Sequence, residues 1–203
     1  MLLLCSDGIT SVSLMNVIKE IPFPKRRAAI VVTADRDAKK QHPHLPRISS
    51  FFKQEGFQVD ILDLDVNTEQ DLRPYDLIEF VGGNPFYLLK QMKQLSLREV
   101  LHQLVIADNT LLIGWSAGAL VMQRNLHLVA QLTPDMNDVG LTDLEGLGLT
   151  DIEIMPHYSS FLNRYDNLEE ICRNYEISNQ CEVIRLNDQE GILIGNAIKM
   201  IRG

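Results

Sequence analysis

The sequence predicts an α/β fold: a mostly parallel sheet sandwiched by helices, with a small antiparallel edge at the C-terminal end. Apolar runs of strand length alternate with amphipathic helical patterns along most of the chain. Those runs are apolar at consecutive positions, as expected of strands covered on both faces. The last segment loses its helices and carries a hairpin signal. In order, the strand-length runs are Leu2 to Cys5, Ala28 to Thr33, Val59 to Leu62, Leu77 to Val81, Leu111 to Trp115 and Ile152 to Met155. Amphipathic patterning predicts helices over Leu45 to Gly56, Phe86 to Leu95, Leu97 to Ala107 and Tyr165 to Ile177, with Gly56 as a stop and Ser96 at an N-cap. Cys181 to Leu186 and Gly191 to Ile201 read as two or three antiparallel strands turned at Gly195-Asn196. Arg124 to Thr150, broken by Pro134, Gly140, Gly146 and Gly148, fits no regular element; an active-site loop and a surface excursion suit it equally.

Composition bounds the function. The 203 residues suit a single domain, and no repeat, low-complexity tract or linker divides them. With 45% apolar and 23% charged residues, the chain has the make-up of an ordinary globular protein. A formal net charge of −8 argues against a nucleic-acid partner, because such binding rests on clustered cations; the one dense basic run, Pro24-Lys25-Arg26-Arg27, reads as a solvated loop. Cys5, Cys172 and Cys181 form an odd set without metal-ligand spacing, which suggests reduced thiols in a cytoplasmic protein. Met1 to Cys5 lacks the basic flank of a signal peptide, and no apolar stretch is long enough to span a bilayer, so no membrane partner is expected.

The chemistry is expected where motifs directly follow strands, since the carboxyl ends of a parallel sheet converge on one edge. Leu111 to Trp115 runs into Ser116-Ala117-Gly118, so that Gly114 and Gly118 flank Ser116 symmetrically. This is the pattern of a nucleophile elbow, with the Ser116 hydroxyl raised above the sheet and the Ala117 N–H available to an oxyanion. Gly82-Gly83-Asn84 follows Asp76 to Val81, and Gly83 is the second oxyanion candidate; the pair also suits a simple turn with Asn84 as N-cap. Met155-Pro156-His157 ends a third run, which makes His157 the histidine placed to take the serine proton. A third group should fix the imidazole. Glu190, in Asn187-Asp188-Gln189-Glu190-Gly191, and Asp135 and Asp138, in the irregular segment, are all open to that role.

These motifs resemble the peptidase S51 family, the peptidase E or aspartyl dipeptidase-like group that includes the cyanophycinases. The resemblance rests on Val81-Gly82-Gly83-Asn84-Pro85-Phe86 with Leu88-Leu89, on Gly114-Trp115-Ser116-Ala117-Gly118-Ala119, and on Pro156-His157. It implies a fold like the class I glutamine amidotransferases, a flavodoxin-like three-layer arrangement. It implies a Ser-His-Glu triad of Ser116, His157 and Glu190, with Asp135 as second choice for the acid, and oxyanion donors Gly83 and Ala117. The implied activity is that of a serine-type exopeptidase of the dipeptidase kind acting on dipeptides or short peptides through an acyl-enzyme, without metal or organic cofactor. N-terminal aspartate preference would need basic side chains at the site. Arg164 and Arg173 are the candidates, and Asn84 is a further substrate contact. Two alternatives stand beside it: a small serine esterase with Asp135 or Asp138 ahead of the histidine, and a binding module that has lost the chemistry. The oligomeric state is not legible.

Overall fold

The computed structural model describes residues 1–67 and 72–203. Among the described residues the main sheet has seven strands in the order β3-β2-β4-β5-β1-β8-β9. They are β1 (Leu2–Cys5), β2 (Arg27–Val31), β3 (Gln58–Leu62), β4 (Leu77–Phe80), β5 (Leu111–Trp115), β8 (Gly191–Ile194) and β9 (Ile198–Ile201). The first five are parallel, and β8 and β9 close one edge as the predicted antiparallel hairpin.

Strand alternation sorts side chains into two cores, one per face. Leu111, Ile113 and Trp115 face a cluster with Leu14 and Ile18 of α1 (Val12–Glu20) and with Ile48 and Phe52 of α2 (Leu45–Gln54). Leu112 faces the other cluster, with Leu88 and Leu89 of α3 (Pro85–Gln94), Leu101 of α4 (Leu97–Ile106) and Ala117 of the single turn α5 (Ala117–Leu120). Sequence patterning passes over α1, which Ser11 caps by accepting from the Leu14 N–H at 3.3 Å. Glu79, in the middle of β4, is fully buried, and among the described residues neither carboxylate oxygen has a hydrogen-bond partner. Burial pushes its carboxyl up to about 8.

The principal departure from the sequence reading lies in the second half. β6 (Glu153–Met155) leaves the main sheet and pairs parallel with β7 (Val183–Arg185), so the segment expected as antiparallel edge is partly a separate two-stranded layer. A short apolar run carries no record of which strand it will pair with. This layer has its own core, in which Leu128 and Leu132 of α6 (His127–Leu132) meet Met155 and, from α8 (Leu168–Asn179), Leu168, Cys172 and Tyr175. The connecting turn after β6 is α7 (Tyr158–Leu162). The three cysteines are unpaired. Among the described residues no helix is long and apolar enough to cross a membrane.

Candidate active site

Neighbouring strands β4, β5 and β1 deliver Gly83, Ser116 and Ser6 to the same sheet edge. Because β8 runs antiparallel to β1, with Gly191 opposite Cys5, the turn that precedes it lies at that edge too. The third contribution comes from the small layer. β6 and β7 are parallel with Met155 opposite Arg185, so the residues just beyond both strand ends, His157 and Asp188, emerge together.

Ser116 sits at φ 49° and ψ −114°, a conformation that costs a non-glycine residue about 1–3 kcal/mol and persists only when its surroundings hold it. They do so through the Ser116 N–H, which donates to the Cys5 carbonyl at 3.1 Å, and the Ser116 carbonyl, which accepts from the Leu120 N–H at 2.9 Å. The turn also depends on close backbone approach. A Cβ on Gly118 would meet the Phe80 carbonyl oxygen at 2.1 Å. Behind the serine, the buried Trp115 ring is met edge-on by His42 and His44 at centroid distances of 5.5 and 6.0 Å. Burial lowers the proton affinity of His42, as suits a ring serving as an apolar wall.

His157 takes a left-handed conformation, φ 55°, and its Nδ1 lies 2.6 Å from Asp188 Oδ1. An ionised carboxylate can only accept, so this contact places the ring proton on Nδ1 and leaves Nε2 as the basic nitrogen. The buried Ser6 hydroxyl joins the two: it accepts from the His157 N–H at 2.8 Å and donates to Asp188 Oδ1 at 3.0 Å. The Asp188 turn is fixed further by the Gln189 N–H on Asp7 Oδ1 at 2.7 Å. Glu190, preferred from the sequence for the imidazole, is not on the ring. Its carboxylate closes its own turn by accepting from the Asn187 N–H at 2.9 Å. The second choice, Asp135, lies exposed on the short turn Pro134–Met136, and Asp138 is paired with Arg36.

Ser116, Ala117, Gly83 and His157 line one cavity of about 50 Å³. The Gly83 and Ala117 amides donate to no protein acceptor among the described residues. Gly83 adopts φ 141°, and a Cβ there would meet the Ala34 carbonyl oxygen at 2.3 Å, so the backbone can pass only without a side chain. The remaining wall is apolar, with Leu120, Val129, Met136, Met155 and Phe161. The irregular segment thus reaches the site: α6 supplies Val129 and the following turn Met136.

The expected substrate contacts are placed differently. Asn84 caps α3, its Oδ1 accepting from the Phe86 and Tyr87 N–H groups at 3.0 Å each, while its Nδ2 donates to the Met136 carbonyl. Its hydrogen-bonding capacity is spent on holding the cavity wall. Arg173 pairs with Glu169 on the outer face of α8, and the exposed Arg164 lies over the Phe161 ring at 5.8 Å; neither lines the cavity. Sequence reasoning missed Asp188 and Ser6. Ser6 directly follows β1 and so carried the same strand-end signal as the other motifs. Asp188 stood two residues from the preferred Glu190, and tertiary contacts distinguish them: the parallel β6–β7 pairing, the Ser6 hydroxyl on Asp188 and the use of Glu190 to close the turn.

The family model described as peptidase family S51 matches residues 17–201. An uncharacterized peptidase of Pasteurella multocida is 28% identical over 156 residues, covering 75% of this chain and 73% of that protein. A Drosophila melanogaster protein named as a probable alpha-aspartyl dipeptidase is 34% identical over 103 residues, or 51% of this chain and 41% of its own length. For other curated relatives the aligned part likewise spans about half of their length or less. A Listeria monocytogenes crystal structure described as a peptidase E superposes over 100% of this chain and 98% of that one, with a TM-score of 0.77 at 23% identity; this similarity speaks to the fold.

Proposed function

Because the chain belongs to peptidase family S51, whose members are serine-type peptidases, we propose that it hydrolyses dipeptides or short peptides with Ser116 as nucleophile and His157 as general base. Asp188, in the role the sequence reading gave to Glu190, orients the imidazole. The observation that carries this is the 2.6 Å contact of His157 Nδ1 with Asp188, on a ring that shares one cavity with Ser116. His157 Nε2 takes the Ser116 proton as the hydroxyl oxygen attacks the scissile carbonyl. The resulting oxyanion is met by the Gly83 and Ala117 N–H groups. The imidazolium then protonates the leaving amine, and water, deprotonated by the same ring, releases the acyl group. The mechanism requires the Ser116 hydroxyl to reach His157 Nε2 once substrate fills the cavity, a tightening common in hydrolases.

A fluorophosphonate probe followed by peptide mapping tests the nucleophile, with Ser116 as the labelled residue; labelling elsewhere, or none on folded protein, sinks the assignment. For the acid, Asp188→Asn should lower kcat about 10²- to 10³-fold and Glu190→Gln less than about 10-fold. The Asp188 side chain is 49% exposed, so solvent shares in stabilising the imidazolium and the loss should be smaller than for a buried triad aspartate. The opposite ranking of the two variants would return the role to Glu190.

A further inference from the structure

On the reading that Ser116 is the nucleophile, we propose that the cavity beside it receives an uncharged aliphatic side chain from the residue supplying the scissile carbonyl, and that it rejects aspartate. Among the described residues that line the cavity, only Ser116 and His157 have polar side chains, and on the proposed reading both are committed to the chemistry. The wall a substrate side chain would touch is made by Leu120, Val129, Met136, Met155 and Phe161. A carboxylate leaving water needs a cation or several donors in return, and this wall has neither.

The surroundings point the same way. The next cleft along the edge, which shares Gly83, carries Asp35, Asp37 and Asp138 against the single cation Arg36, and Arg36 is paired with Asp138. Cations on the elements behind the cavity are also engaged, Arg173 with Glu169 and Arg185 with Glu176. In that neighbouring cleft carboxylates outnumber cations three to one, whereas beside the wall itself the cation is the exposed Arg164, its guanidinium 5.8 Å from the Phe161 ring. Two of the wall residues are methionines, whose unbranched thioethers adjust to aliphatic groups of different length.

The test is a series of dipeptides sharing one leaving residue, Ala-Ala, Val-Ala, Leu-Ala, Asp-Ala and Lys-Ala, assayed on the full chain. The best aliphatic substrate should exceed Asp-Ala and Lys-Ala in kcat/KM by roughly 100-fold, the scale expected when a charge is buried without a partner. Met136→Arg, which puts a guanidinium on the wall, should raise the Asp-Ala to Leu-Ala ratio at least about 10-fold. Asp-Ala as the best substrate, with Arg164→Ala abolishing that preference, overturns the proposal. So does a protein that labels at Ser116 yet turns over none of the aliphatic dipeptides. Failure to label at Ser116 instead removes the underlying catalytic reading, which keeps the two outcomes apart.

Discussion

Ser6 shows how a buried hydroxyl can matter without touching substrate. It holds the backbone of His157 and the carboxylate of Asp188 at once, through contacts of 2.8 and 3.0 Å. Without it, His157 loses an anchor for its left-handed backbone, and Asp188 loses a donor that fixes its rotamer. We expect Ser6→Ala to lower kcat about 10- to 50-fold with KM changed less than about threefold, because the loss is of orientation and not of binding. Steady-state kinetics on the variant check this. A lowered melting temperature with kcat intact would make Ser6 a packing residue only. The left-handed Ser116 and His157 backbones belong to the same scale: each is a local cost that neighbouring hydrogen bonds offset.

At the level of elements, β4 couples the site to the core. Its end supplies Gly83, and its middle carries Glu79, buried without a hydrogen-bond partner among the described residues. With the folded carboxyl raised to about 8 from an ordinary 4.5, the folded chain holds a proton that the unfolded chain gives up, so stability falls as pH rises between those values. Glu79→Gln removes that dependence. Urea unfolding at pH 5 and pH 8.5 should show the variant gaining on the parent by roughly 3 kcal/mol at the higher pH. Parallel pH dependence of the two proteins would mean that Glu79 finds a partner on ionisation. The paired strands β6 and β7 make the complementary point. Their parallel register brings the chain ends after Met155 and Arg185 out side by side, and the Asn187–Glu190 turn, closed by Glu190 and held by Ser6 and Asp7, then presents Asp188 to the imidazole.

Over the whole molecule the site joins two bodies of unequal size. Ser116, Gly83 and Ser6 stand on the sheet with a core on each face, whereas His157 stands on a two-stranded layer with a small core of its own. A smaller buried core opens at lower free energy. Hydrogen exchange should therefore find β1, β2 and β5 the slowest amides, with β6, β7 and α8 exchanging at least about 10-fold faster. Equal protection in both would indicate one cooperative unit. Such a division would let His157 shift relative to Ser116 at little cost to the main sheet.

The α/β class, the five parallel strands and the convergence of Ser116, Gly83, Ala117 and His157 on one cavity were legible in the sequence, because apolar runs, glycine spacing and strand-end placement are local signals that survive without coordinates. Asp188, Ser6 and the apolar wall were not. Each depends on which strand pairs with which and on where the irregular segment folds back, and pairing is settled by contacts between residues far apart in the chain. Local patterning determined the elements; tertiary packing, through contacts between residues far apart in the chain, decided which carboxylate meets the His157 ring and which apolar side chains wall the cavity.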